Sequence, residues 1–584
     1  MIPATPAPAH RPLDLGLAPG AEEFRAEVCA WLTPAMALGR IAAHRDPDDR
    51  TGLGEEFERA LLREAGKRGW LGISVPSGAG GGGRPASWAA AFAYEVAWHH
   101  APLVDTGVVL ASAPVAAYGS AGQRGRLLPG MLDGRETWCC AYTELAAGND
   151  LFAGLRAEAR QDGDGTWRIT GTKALVTGAA KADRCLTVAR TPGGTAMFVV
   201  ALRSAVATDP AAPRTGGVMA ADGVEIRRIP TIAGYTLDEI VFDGAEAELL
   251  GDEGAGRRQV ARAVRAEHGG LFQLGWAHRL VSDLTACLAG VGANCVDGRR
   301  DGSEVDPVLA EQLGGLWVHL LAGRGTALAP VFAMELARPD LVAAMLAKIR
   351  LTELVRDAAR EAASAVRRFA ATRPPGRARS ELESWETRFA AEAVMRLDGP
   401  ISVGANDLHR EAVASFVLGE RPFDGGKAAF DEAVAEPLSA AWRALRTAVD
   451  RVNSRTAYGT TVSRLPVVRR RLADMYGELD AAWRLAAQAD EHGAAEEVVL
   501  AAADHVGRAC RGVVEEAVEL CGGHGYLADS GLGALLSTVY GAERLADTRP
   551  SPRARIAVRV LAAEQDAARV AGGGVPAEVE GSGR

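Results

Sequence analysis

The sequence predicts an α+β protein that is mostly helical, and three observations carry that reading. Helical periodicity runs from Glu22 to about Glu136. Strand signals then dominate from Trp138 to about Gly256, and an Ala- and Leu-rich helical pattern resumes at Arg257 and continues almost to the end. At 584 residues the chain has the length for three or four domains with full cores. Its 48% hydrophobic and 24% charged content is ordinary for a globular protein, and a net charge of −9 argues against nonspecific nucleic-acid binding, which needs clustered positive charge.

Taken in order, residues 1–20 are rich in Pro and Ala without a charged start, an apolar core and a cleavage site in series, and are expected to form a loose tail. No apolar run is expected to reach the ~20 residues that cross a bilayer, so the expectation is a soluble, cytoplasmic protein with no membrane partner. Eight cysteines without framework spacing, and without a Cys-x-x-Cys pair, predict reduced thiols and no metal site. A helix over Glu56–Leu62 ends before Gly66 and Gly69. The Gly-rich loop from Gly78 to Gly83 lacks both the Gly-Lys-Ser/Thr ending of a P-loop and dinucleotide-binding spacing, and reads as a turn. A second helix over Ala89–His100 carries Glu95 shortly before Pro102, with His99 and His100 as capping or packing groups.

The middle region is more specific. Tyr142-Thr143-Glu144-Leu145-Ala146-Ala147-Gly148-Asn149-Asp150 follows an apolar run, and Gly171-Thr172-Lys173-Ala174-Leu175-Val176-Thr177 follows a polar Asp-Gly turn at Gln161–Thr166. An Asp-Gly turn between β-branched runs is a strong hairpin signal and places both segments in a β-domain.

These residues resemble the middle domain of the acyl-CoA dehydrogenase family, whose pattern is a Thr-Glu-x-x-x-Gly-Ser-Asp loop followed by Gly-x-Lys-x-Trp-Ile-Thr. The flanks are similar too: Trp70-Leu71-Gly72-Ile73-Ser74-Val75-Pro76 and Tyr118–Gln123 match the family's N-terminal helical domain. The resemblance implies an N-terminal helical domain over 21–137, a β-barrel-like middle domain over 138–256, and a C-terminal helical bundle over 257–422. It also implies FAD as cofactor. Tyr142, Thr143, Val176 and Thr177 would then lie along the flavin's pyrimidine edge, where fixed donors stabilise the reduced ring. Asn149 stands where relatives have a Ser on the pantetheine arm, and Leu175 where they have a Trp beside the flavin.

The family's helical domain normally occurs once, ending in Gly-Thr-x-Glu-Ile-x-Arg. Here Ile401–Arg410 is a degenerate version of that ending, and the chain then continues for another domain's length. The continuation again resembles the family's helical domain, through Arg455-Thr456-Ala457-Tyr458-Gly459 and Glu519-Leu520-Cys521-Gly522-Gly523-His524-Gly525-Tyr526. An additional helical bundle is therefore expected over 423–566, before a tail at 567–584. In relatives Arg455, Tyr458, Glu519, Gly522 and Gly523 would serve the FAD pyrophosphate and adenosine of a neighbouring subunit.

Family members remove an α-proton from an acyl thioester with a Glu while the β-hydrogen leaves as hydride. In many that Glu precedes the Gly of the terminal motif, but Val403 and Ala546 occupy those places here. A minority carry the base in a Leu-x-x-Glu-Arg motif on the first long helix, and Val264-Arg265-Ala266-Glu267-His268 stands there. The resemblance makes Glu267 the expected base beside His268, with Val403 offering its backbone N–H to the thioester carbonyl and Asp547 as the alternative base. The expected partners are an acyl-CoA or acyl-carrier-protein thioester, an electron-transfer flavoprotein or oxygen as acceptor, and a second copy in a homodimer. A flavin oxidase on the same fold, or a non-catalytic partner of a true dehydrogenase, are the alternative readings.

Overall fold

The computed structural model describes residues 13–42, 54–103, 106–148, 150–203, 221–266, 269–290, 306–372, 376–402, 404–419, 430, 432–457, 459–546 and 550–572. It is mostly helical with one substantial sheet. The chain divides into two compact units, Leu17–Gly275 with Met334–Ala337, and Met1–Gly16 with Trp276–Ala333 and Arg338–Arg584.

The first of these units opens with helices α1 (Pro19–Ala42), α2 (Glu55–Lys67), α3 (Ala86–Trp98), α4 (Thr106–Tyr118) and α5 (Ala121–Leu132). Ser120 starts α5 with a capping box, its hydroxyl accepting from the Gln123 N–H while the Gln123 side chain accepts from the Ser120 N–H, which satisfies two helix-end donors at once. Glu95, fully buried on α3, is held by Arg25 of α1 at 2.8 Å, and His99 Nδ1 lies 2.8 Å from the Glu95 carbonyl, so these residues tie the helices together.

Strands β1 (Trp138–Ala141), β2 (Glu158–Gln161), β3 (Trp167–Val176), β4 (Arg184–Thr191), β5 (Gly194–Ala201), β6 (Val224–Pro230) and β7 (Thr236–Leu250) follow. Their order is β1-β4-β2-β3-β7-β5, and β5 pairs back onto β4, so the sheet closes on itself. The Asp-Gly turn joins β2 to β3 as expected, with Asp162 N–H donating to Thr166 O at 2.8 Å. Phe198, Phe242, Ile169 and Ile240 fill the interior. The opposite face of β1, β4 and β5, with Trp138, Leu186, Val188 and Met197, shares a core with α4 and α5. Burial on both faces explains why β4 and β5 read as continuous apolar runs. Helix α6 (Gly256–Ala266) and the start of α7 (Gly269–Gly290) complete this unit.

The second unit holds α8 (Pro307–Glu335), α9 (Leu341–Ala371), α10 (Arg377–Met395), α11 (Asn406–Gly419), α12 (Glu432–Ser454), the short hairpin β8 (Thr456–Ala457) and β9 (Thr460–Thr461), α13 (Pro466–Ala489), α14 (Glu496–Cys521), α15 (Leu532–Ala546) and α16 (Pro552–Gly572), apart from the last residues of α8. Val413, Ala414 and Val417 of α11 share one core with α12, α13 and α14, so the helices on either side of residues 422–423 are packed together.

Two expectations are corrected. Residues 13–17 are not loose: Leu13, Leu15 and Leu17 are buried, and the Asp14 carbonyl accepts from Arg324 at 2.6 Å. Helix α8, with 29 residues, is long and apolar enough to cross a bilayer, where the sequence suggested no such run. Of its most apolar stretch 67% is buried inside the fold, as in a core helix.

Candidate functional site

The two motif loops of the barrel meet edge to edge. Where β1 ends, Tyr142, Thr143 and Glu144 run alongside the end of β3, and the Ala174 N–H donates to the Thr143 carbonyl at 2.9 Å. Beneath that bond lies a buried ion pair. Lys173 Nζ, fully buried, donates to Glu144 Oε1 at 2.9 Å and to the Tyr142 carbonyl at 3.3 Å. The Glu144 carboxylate also accepts from the N–H groups of Arg156 at 2.8 Å and Ala157 at 3.0 Å. Burial works to raise the Glu144 pKa, but the Ala157 N–H, Lys173 and the Arg156 N–H outweigh it and hold the carboxyl below its ordinary range. Burial lowers the Lys173 pKa, and Glu144 opposes that shift.

The register of β3 against β7 shifts between Lys173 and Val176. Because strand side chains alternate, Lys173 and Val176 could not both face inward in a regular strand. The bulge allows it: both are buried, while Leu175 is 49% exposed with φ +56°. Val176 thus anchors in the barrel core, and Thr177 follows half-buried at the rim. Tyr142 turns its hydroxyl inward beside Cys140, and burial pushes its pKa well above the ordinary tyrosine value.

In the helical unit, Arg455 precedes the β8–β9 hairpin, whose turn residue Gly459 has φ +76°, and its carbonyl accepts from the Val462 N–H at 2.9 Å. Gly522, at the end of α14, has φ +64°, and a Cβ placed on it would stand 3.1 Å from Arg455 Nη1. The guanidinium therefore lies over the Gly522-Gly523 turn. Glu519 is exposed and accepts from Arg471 at 2.7 Å, and Tyr526 is 90% exposed.

The profile of the acyl-CoA dehydrogenase N-terminal domain matches residues 22–135, and that of the acyl-CoA dehydrogenase C-terminal domain matches residues 432–549. The acyl-CoA dehydrogenase IpdE1 of Mycobacterium tuberculosis is 29% identical over 407 residues, covering 68% of this chain and 97% of the relative. The chain is thus similar to acyl-CoA dehydrogenases at both its N-terminal and its C-terminal helical regions. The proteins it resembles are flavin oxidoreductases of the class acting on CH–CH groups. The crystal structure of an acyl-CoA dehydrogenase complexed with FAD from Bacillus anthracis superposes with a TM-score of 0.73 at 16% identity, covering 94% of this chain and 96% of that one, so its fold includes the additional helices. A steroid acyl-CoA dehydrogenase, Tcur3481-Tcur3483, gives 0.56 at 24% identity over 70% of this chain and 99% of the other.

Among the residues expected from the family motifs, Tyr142, Thr143, Val176 and Thr177 come together at the barrel edge, and Arg455, Gly522 and Gly523 come together in the helical unit. Glu267, His268, Val403, Asn149 and Tyr458 lie outside the described residues, as does Asp547.

Three family-motif residues have structural roles that their sequence context did not reveal. Glu144 and Lys173 form the buried pair. Arg410, the last residue of the degenerate terminal motif, donates to both oxygens of Glu353 at 2.9 and 3.0 Å and to Asp474 at 2.6 Å, linking α9, α11 and α13. Nearby, Lys348 Nζ donates to the Gly399 carbonyl at 2.7 Å and to Asn406 Oδ1 at 3.0 Å, joining Gly399 to the start of α11. A signal for Lys173 was present: it falls two and four residues after Gly171 and Ile169, on the inward phase of the strand. A cavity of about 470 Å³ in the helical unit, lined by His319, Glu478, His505, Arg508 and Arg553, involves none of the expected site residues.

Proposed function

We propose that this protein is an FAD-dependent acyl-thioester α,β-dehydrogenase in which Glu267 removes the substrate's α-proton. The observation that carries the reading is the barrel edge, where two loops separated by some thirty residues are bonded backbone to backbone and locked by a buried ion pair. Such rigidity suits a surface that must present fixed donors to a ring whose charge changes in the reaction.

The donor set fits FAD. Thr143 and Thr177 sit half-buried on the rim above an apolar barrel, and Arg455 lies over a glycine turn that a Cβ would crowd. The first group would hold the isoalloxazine edge, and Arg455 with Gly522 and Gly523 would take the pyrophosphate. Glu519 and Tyr458 would lie toward the adenosine of a partner copy's cofactor, in a homodimer that imitates the arrangement of single-bundle relatives. Bound FAD supplies the hydride acceptor.

The chain's own residues supply the proton chemistry. An α C–H is a weak acid, so the Val403 N–H donates to the thioester carbonyl while Glu267 takes the α-proton on a carboxylate oxygen, with Asn149 and His268 toward the substrate. Anaerobic titration with saturated acyl-CoAs, then with acyl-carrier-protein thioesters, tests this reading: one acyl class should bleach the oxidised flavin. Glu267→Gln should keep the flavin spectrum and slow bleaching by about 10² to 10⁴. An unchanged rate of bleaching would remove Glu267 as base in favour of Asp547, whereas bound flavin that no thioester bleaches even in the wild type would favour a non-catalytic role for this chain beside a true dehydrogenase.

One observation favours a second reading, a flavin oxidase. Leu175 is half exposed at the place where relatives carry a Trp beside the flavin, which opens that side to oxygen. Reoxidation of the reduced protein in air within seconds, rather than only with an electron-transfer flavoprotein, would establish it.

A further inference from the structure

We propose that the Glu144–Lys173 pair is a positioning device that sets the flavin edge, acting through the Thr143 and Val176–Thr177 loops without touching cofactor or substrate. The inference rests on the flavin-edge reading above and adds a role for two residues that stand behind that edge.

Three chain segments converge on the pair. Lys173 reaches from β3 to Glu144 and to the Tyr142 carbonyl, and Glu144 holds the Arg156 and Ala157 N–H groups just before β2. Ala157 also packs against Gly171, where a Cβ would stand 2.7 Å from the Ala157 Cα. Glu144 therefore ties residues 142–144, 156–157 and 173–174 into one knot.

A structural pair with no further role would need only a regular strand. This one coincides with a bulge that places Leu175 at φ +56°, a conformation that opposes its Cβ. Keeping Lys173 on Glu144 while Val176 enters the core demands the extra residue, and the extra residue turns Leu175 outward and starts Thr177 at the rim. Strain at a branched side chain is held in place by the buried ionic bonds on one side and the Val176 core contact on the other. Both anchors lie inside the barrel, so the edge is set before any cofactor arrives.

The experiment compares wild type with Lys173→Met, Glu144→Gln and the double variant, all full-length. Amide hydrogen exchange is measured on flavin-free protein, and FAD affinity and flavin midpoint potential on reconstituted protein. Each single variant should raise exchange about tenfold to a hundredfold in 142–144 and 174–177 while β4 and β5 stay protected, and should weaken FAD binding by a similar factor.

The double variant separates positioning from charge balance. Removing both charges relieves the uncompensated ion, so the melting temperature should recover toward wild type. The loops should stay fast-exchanging and the potential shifted, because the hydrogen-bonded knot is still missing. Recovery of loop protection, affinity and potential in the double variant would overturn the proposal, as would singles with wild-type exchange. A wild-type protein that binds no FAD would sink the functional reading instead, while the exchange data would still decide whether the pair orders the edge.

Discussion

The barrel edge and the Arg455–Gly522 turn are both expected to hold one cofactor, yet they are built in opposite ways. At the edge every anchoring group is buried and bonded inside a closed sheet: Lys173 is fully buried, Glu144 nearly so, and three backbone segments are fixed by one carboxylate. At the turn the groups are outside. Arg455 is exposed, Glu519 is exposed, and Tyr526 stands almost fully in solvent. A folded chain therefore completes the first surface by itself and leaves the second open. The difference suits a cofactor whose ring is bound within one chain and whose phosphates are gripped by residues offered to another copy.

The contrast can be broken most sharply with two glycines. Gly171 of β3 has φ +144° and touches Ala157, so Gly171→Ala meets both an unfavourable backbone and a backbone contact at 2.7 Å. We expect a loss of roughly 2 to 5 kcal/mol, read as a lower melting temperature and faster exchange throughout the barrel. Gly522→Ala meets φ +64° with ψ −146°, a conformation nearly reserved for glycine, but otherwise only the end of the flexible Arg455 side chain at 3.1 Å, so roughly 1 to 3 kcal/mol is expected, confined to the turn. Equal losses at both positions would mean that the turn is as tightly determined as the edge.

The same contrast explains what was legible in the sequence. The edge announces itself locally: Thr143 and Glu144, the Asp-Gly hairpin at 162–165 and Gly171-x-Lys173 are contiguous motifs, and the strands form where the alternation places them. What periodicity could not show is that Lys173 and Glu144 meet, since Lys and Glu are ordinarily solvated and their pairing depends on how β1 and β3 are joined in space. The outward turn of Leu175 was equally hidden, because the bulge arises from competition between two buried anchors and not from a glycine. In the helical unit, the Arg410 link to Glu353 and Asp474 crosses three helices far apart in sequence, and the share of the core that α11 contributes to α12–α14 follows from that packing.

A smaller effect on folding but a direct one on binding is expected from Arg455→Ala. Because the side chain is exposed and lies against the Gly522 turn, stability should be nearly unchanged. FAD affinity should fall about tenfold to a hundredfold, the value of a charge-assisted contact, and the wild-type affinity should weaken with salt more steeply than the variant's. Isothermal titration at two ionic strengths checks both. An Arg455→Ala protein with wild-type affinity would place the pyrophosphate elsewhere and leave the open turn without a role.

The finest distinction concerns buried charge within the helical unit itself. At the edge a buried pair is kept ionised, whereas His505 on α14 is kept neutral: Arg350 Nη2 lies 3.2 Å from its Nε2, which must accept, and Arg350 is in turn held by Glu478 at 3.0 Å. Burial first, and then the Arg350 charge, depress His505 from 6.5 to about 3, with Glu478 opposing and with His319 and Arg553 adding to the fall. The unfolded chain therefore binds a proton near pH 6.5 that the folded chain refuses. This contribution is fully present above that pH and is lost as the pH falls toward 3. Between about pH 7.5 and about pH 5 the wild type should lose on the order of 1–2 kcal/mol more than His505→Gln, whose side-chain oxygen can accept from Arg350 without titrating. Melting curves of the two proteins across that range make the measurement. Parallel decline would show that His505 is protonated in the folded state, and the Arg350 hydrogen bond to its Nε2 would have to be withdrawn.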